Sequence, residues 1–177
     1  MIYEMLGMLR FIDGMLLGAI AASDILFYHP SVPAEGASHG GTSTTSEIAT
    51  SKNALWDDVS GAEASAGDTE YRKIFIGLGT DVGSDVLSSP VLWVASTTPA
   101  GDEIEIKTVT AGGDSSNVRS DITSVTDWTT PTIKSDGLSL ANLETGDSVG
   151  VWIRRAVPAS TSGWADDAAT LRLEGDV

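Results

Sequence analysis

The sequence predicts an all-β protein, an antiparallel β-sandwich of jelly-roll or immunoglobulin-like type with a short N-terminal helix. Two observations carry this expectation. From Ala22 onward apolar residues recur with period two, most cleanly in Asp102–Val109 (DEIEIKTV), where Ile104 and Ile106 face one way and Glu103, Glu105 and Lys107 the other. The alternating runs are also short and separated by Gly, Pro, Asn, Asp and Ser, giving about eight strands, without the internal repeat that builds a propeller or solenoid.

The leading segment differs in composition from the rest. Ile2, Met5, Leu6, Leu9, Ile12, Leu16 and Ile20 recur at spacings of three and four, so an amphipathic helix is expected over residues 1–22. Gly7, Gly14 and Gly18 each weaken it by about 1 kcal/mol relative to Ala, so it needs a surface to dock on. Met15–Ala22 ends in the small-residue pattern of a secretory signal, but Glu4 and Asp13 stand against Arg10 alone where a signal needs a basic leader. A membrane span is ruled out by length and by Asp13. The chain then divides into this anchor, an extended arm with the first strand at 23–50, and a sandwich body at 51–177.

Asp24–His29 reads as the first strand, stopped by Pro30 and Pro33. Ser31–Thr45, rich in Gly, Ser, Thr and Pro, reads as a loop or an arm laid over a neighbour. Glu47–Thr50 is a weak strand and Tyr71–Leu78 a strong one, with Ile74 and Ile76 inward and Lys73 and Phe75 outward. Pro90–Ser96 and Asp102–Val109 follow, then a Gly-Asp-Ser turn cluster at Ala111–Asn117. Thr132–Ser135 is expected to begin a strand after Pro131. The set Leu138, Leu140 and Leu143, the central strand Ser148–Val157 and a closing strand at Thr170–Glu174 complete the reading.

Composition excludes several classes of function. Acidic residues outnumber basic ones 25 to 10, a net charge of −15 that repels nucleic acid. With no cysteine there is no disulfide framework and no thiol chemistry. No phosphate-binding loop follows Gly40-Gly41, and neither His29 nor His39 has an orienting carboxylate near it in sequence. The acids Asp57, Asp58, Glu63 and Asp68 match no EF-hand spacing and read first as turn caps, with a calcium loop as the alternative. The sequence therefore predicts no enzyme, cofactor or metal.

Three blocks carry a family likeness: Asn53–Phe75 (NALWDDVSGAEASAGDTEYRKIF), Val151–Pro158 (VWIRRAVP) and Leu171–Asp176 (LRLEGD). Together they resemble small structural proteins encoded among the particle genes of tailed bacteriophages and cyanophages, over roughly Asp24–Val177. The resemblance implies a virion protein, either a capsid decoration or cement protein or a tail- or fibre-associated one. It implies other virion proteins as partners, a homo-oligomer on the particle, and contact with neither nucleic acid nor membrane.

Candidate partner-binding residues follow from the same reading. Leu6, Leu9, Ile12 and Leu16 line the expected helix face. Trp128 and Trp164 stand in polar loops, where an indole can anchor a protein or, in the alternative of a surface carbohydrate-binding module, stack on a host glycan. Trp93 and Trp152 fall within strands and are expected in the core. Arg154 and Arg155 must point to opposite faces of one strand, so at least one reaches an acidic partner, within the chain or across a subunit boundary.

Overall fold

The chain folds as two five-stranded sheets packed face to face. The computed structural model describes residues 2–3, 10–13, 20–49, 54–82, 84–97, 101–108, 116–123, 126–161 and 168–177, with backbone alone for 2–3, 10–13 and 81. The strands are β1 (Ile2–Tyr3), β2 (Arg10–Asp13), β3 (Ile25–Val32), β4 (Gly40–Glu47), β5 (Asp68–Leu78), β6 (Ser88–Thr97), β7 (Glu103–Lys107), β8 (Leu138–Ser139), β9 (Ser148–Val157) and β10 (Ala169–Asp176). One sheet runs β1-β2-β10-β6-β8 and the other β4-β3-β5-β9-β7. All named pairs are antiparallel except β2 with β10, which run parallel.

Alternation along each strand builds the core. Ile74 and Ile76 on β5, Val151 and Ile153 on β9, and Ile104 and Ile106 on β7 face Leu92 and Val94 on β6 and Leu171 and Leu173 on β10. Ile20, before the first strand of the second sheet, is buried in the same cluster.

Several expectations are corrected. Where residues 1–21 are described they are not helical, and Ala22 only opens a 3-10 turn (Ala22–Asp24): Ile2–Tyr3 pairs with Phe11–Ile12, and Arg10–Asp13 adds to the edge of β10. Glycines cost a helix more than a hairpin, and β10 would otherwise offer an unpaired row of backbone groups. The 23–50 segment is no arm apart from the body, because β3 and β4 form the outer strands of the second sheet. Pro30 does not stop β3: register shifts on both sides of it accommodate the missing donor. Strand β4 ends at Glu47, so of the expected Glu47–Thr50 strand only Glu47 is in a strand and residues 48–49 are not, while Thr50 lies outside the described residues. Thr132–Ser135 is replaced by a 3-10 turn at Lys134–Asp136, with Pro131 instead offering its carbonyl to Val94 N–H.

Lys73, Phe75 and Lys107 lie on the face away from the main core as expected, but all three are buried. The outer face of β5–β9 is not wet. It carries its own small cluster of Tyr71, Trp128, Trp152 and Ile122, the last from the short helix α2 (Arg119–Ile122).

Candidate functional site

The period of two sorts the polar residues of β5 and β9 into two groups on opposite faces. Glu70, Arg72 and Arg155 share the face of the main core, while Lys73, Trp152 and Arg154 share the outer one.

On the core side the charges neutralise one another. Arg155 donates from Nε to Glu70 at 2.6 Å and also from Nη2, and Arg72 reaches the other Glu70 oxygen at 3.3 Å. The remaining guanidinium hydrogens go to carbonyls: Arg72 to Leu55 at 2.8 Å and to Tyr71 at 3.1 Å, Arg155 to Asp57 at 3.2 Å. Exposed Glu35, from the β3–β4 turn, closes the cluster on Arg72. Burial pushes the Glu70 carboxyl up from its ordinary value, against the pull of Arg155. Burial, with the charges of Arg155 and Arg119, lowers Arg72 to about 10. Arg155 also lies 5.4 Å over the ring of Trp56.

Glu35, Asp57 and Glu70 bring carboxylate oxygens within 4.8 Å of one another. The donor set does not fit a divalent cation, because two guanidinium groups already hold the oxygens of Glu35 and Glu70. Of the other loop acids, Glu63 is a cap. Its carboxylate accepts Ser60 N–H at 2.6 Å while Ser60 Oγ accepts Glu63 N–H at 3.2 Å, starting helix α1 (Gly61–Ala66).

On the outer side a hydrogen-bonded knot fastens remote segments to the sheet. Beyond Tyr28 strand β3 no longer pairs with β5, and His39 fills the gap: its Nε2 accepts Lys73 backbone N–H at 2.8 Å. The ring is therefore neutral, with its hydrogen on Nδ1 donated to Pro33 carbonyl at 3.2 Å. Lys73 Nζ reaches Asn117 Oδ1 at 2.7 Å, Gly41 carbonyl at 3.0 Å and Asn117 carbonyl at 3.2 Å. Trp152 Nε1–H donates to the same Asn117 Oδ1 at 2.9 Å. Gly40 is required beneath this knot: at φ +118°, an added Cβ would lie 2.8 Å from Asn117 carbonyl and 3.0 Å from the Trp152 ring.

His39 makes this knot acid-sensitive. Burial lowers its pKa from 6.5, opposed by the Pro33 and Ala34 carbonyls and reinforced by the charges of Arg119 and Lys73. A depressed folded value means that the unfolded chain binds the proton first, so the contribution is whole above pH 6.5 and declines as pH falls below it. Unfolding free energy is expected to drop as pH falls below 6.5, by up to about 1.4 kcal/mol per pH unit, and His39→Gln should flatten that slope. Parallel slopes in urea titrations of the two proteins would refute it.

The candidate partner-binding residues are dispersed. Leu6, Leu9, Leu16 and Trp164 lie outside the described residues, and Ile12 is described only as backbone, paired with Ile2 and Arg172. Trp128 is corrected from a loop anchor to a buried residue, 5.6 Å from the Tyr71 ring with the Arg154 guanidinium 4.9 Å over it. Arg155 is likewise spent inside the fold, and Arg154 donates to Glu105 at 2.5 Å. Both arginines thus have intramolecular acidic partners. Trp93 and Trp152 are buried as expected.

Lys73, Asn117 and Glu70 escaped the sequence reading. A signal was present for Lys73: it stands between Tyr71 and Phe75 on one strand face, and an aromatic residue on each side marks a face that is covered. Searches with the sequence and the fold found no matching family model, curated protein or solved structure.

Proposed function

We propose that the protein is a non-enzymatic structural component of a tailed-virus particle, a capsid decoration or cement protein that stabilises the particle by binding neighbouring subunits. The observation that carries this reading is the use to which the described polar groups are put. His39, Lys73, Arg72 and Arg155, the groups best able to act as base, nucleophile or anion holder, hold the β3–β4 hairpin and the 55–57 and 116–119 segments onto the sheet. Such groups serve rigidity, which a particle fitting needs and a catalyst rarely does throughout. The likeness of the DDVSG, WIRRAV and LRLEG blocks to phage particle proteins supports the same reading.

Attachment would use sheet edges and the leading segment. Strand β4 (GGTSTTSE) is an edge of the second sheet and holds neither Lys nor Pro. Repeated copies on a lattice multiply a modest contact through avidity.

The test is incorporation. Purified protein mixed with particles that lack it should bind at a fixed ratio to the capsid subunit, and removal of residues 1–19 should abolish binding. The truncation stops before Ile20 because that side chain belongs to the core. Circular dichroism should still report a folded sandwich. Full incorporation of the folded truncated protein would overturn the role of the leading segment, and turnover of a substrate by the free monomer would overturn the whole reading.

A further inference from the structure

We propose that Lys73 and Asn117 become joined by an intramolecular isopeptide bond, a covalent staple between strand β5 and the segment that leads into helix α2. Four observations on the outer face of the second sheet carry this.

The first is proximity. Lys73 Nζ stands 2.7 Å from Asn117 Oδ1, so the amide carbon, one carbonyl bond away, lies within about 3.9 Å of the nitrogen. The residues are 44 apart in sequence, and the fold holds both inside the knot described above. Such confinement replaces a chance encounter with a near-attack arrangement.

The second is the environment of the nucleophile. The Lys73 side chain is among the largest that are fully buried, and its Nζ lies 5.0 Å from the centre of the Phe75 ring and 5.6 Å from that of Trp152. Three carbonyl oxygens of Gly41 and Asn117 accept hydrogen bonds from Nζ. Attack on a carbonyl uses the uncharged amine.

The third is activation of the electrophile. Trp152 Nε1–H donates to Asn117 Oδ1 at 2.9 Å, which polarises the amide and is aimed at the oxygen on which negative charge develops. The two donors, Nζ and Nε1, also fix the amide orientation, since a flipped side chain would turn its own N–H groups toward them.

The fourth is the leaving group. Asn117 Nδ2 is buried without a hydrogen-bond partner, one of three such side-chain atoms among the described residues. An unsatisfied buried donor is costly, and expelling it as ammonia removes the cost.

The reaction balances without any oxidant or cofactor. Lys73 Nζ, having lost one proton, forms a bond to Asn117 Cγ and gives a tetrahedral intermediate whose oxyanion faces the Trp152 N–H. A second proton passes from Nζ to Nδ2, the Cγ–Nδ2 bond breaks, and ammonia leaves. Ammonia takes up a proton equivalent to the first, so lysine ammonium plus carboxamide become a secondary amide plus ammonium ion. In a chain without cysteine, this is a covalent tie that needs no oxidising compartment.

The experiment is intact mass under denaturing conditions, followed by a tryptic map of soluble, folded full-length protein. The expected mass is short of the sequence by one ammonia. Thr108–Arg119 should be recovered joined to the peptide that begins at Lys73, with its free form depleted. Lys73→Arg and Asn117→Ala should each restore the full mass; the wild-type map decides the matter if either fails to fold. Full mass with free Thr108–Arg119 overturns the proposal. So does an ammonia loss confined within a single peptide, the signature of a succinimide, or conversion of Asn117 to Asp without a linkage.

Discussion

Trp152→Ala is expected to lower the unfolding free energy by about 3–5 kcal/mol, the range for truncating a fully buried large aromatic side chain. Trp152 is 1% exposed, at the centre of the outer-face cluster with Tyr71, Ile122 and Trp128. Its loss would open a cavity under the β3–β4 hairpin and take away the edge contact with the His39 ring at 5.7 Å. Asn117 Oδ1 would at the same time lose its indole donor. Trp152→Phe separates these effects in part, since it keeps most of the volume while removing the N–H that donates to Asn117. It should cost about 1–2 kcal/mol beyond any packing change. Urea unfolding monitored by circular dichroism measures both. A loss for Trp152→Ala below about 1 kcal/mol would show that the hairpin and helix α2 do not depend on this side chain.

Arg155→Ala is expected to cost about 3–5 kcal/mol by leaving Glu70 charged and buried without its principal partner. The two side chains are each 10% exposed, so solvent screening gives little relief. Arg72, at 3.3 Å from the other Glu70 oxygen, is too far to take over the whole charge. Replacing Arg155 and Glu70 together by Met and Leu should restore much of the loss, because desolvation of both charges is then avoided. The deficit also depends on pH. Glu70 already has a raised carboxyl pKa through burial, and loss of the Arg155 charge raises it further. For a carboxyl raised above 4.5 in the fold, the folded state takes up the proton first, so its contribution is favourable at low pH and is lost as pH rises through the folded value. The gap between Arg155→Ala and wild type should therefore narrow as pH falls toward 4.5. Comparing both proteins at each pH cancels the opposite slope of His39. A gap constant across that range would mean that Glu70 is not the group left exposed to the change.

The second sheet was the most legible part of the sequence. Ser148–Val157 is β9 from end to end, because a long alternating run closed by Pro158 admits little else. Ile104 and Ile106 were placed inward correctly, since their neighbours Glu103 and Glu105 could not share that face. The placement of Trp93 and Trp152 in the core also followed from local pattern, whereas Glu63, read as a turn cap, caps the unforeseen helix α1. The leading segment was misread, because apolar residues at spacings of three and four suit a helix and are not refused by a short hairpin. Only the unpaired edge of β10 decided for strands.

By itself the sequence determined that the segments of β5, β6, β7, β9 and β10 are strands and, for β5 and β7, which side enters the main core, because both follow from the period-two geometry of the backbone. It also set the acidic charge and the absence of thiol chemistry. Only the tertiary structure decided what lies on the opposite side. Lys73 reads as a solvent-facing residue until the His39 turn, 34 residues before it, and Asn117, 44 residues after it, are brought over that face. Likewise Glu70 meets Arg155 only across 85 residues of chain. Whether a polar side chain on a strand meets water or a partner is settled by segments distant in sequence, and alternation within the strand carries no record of them.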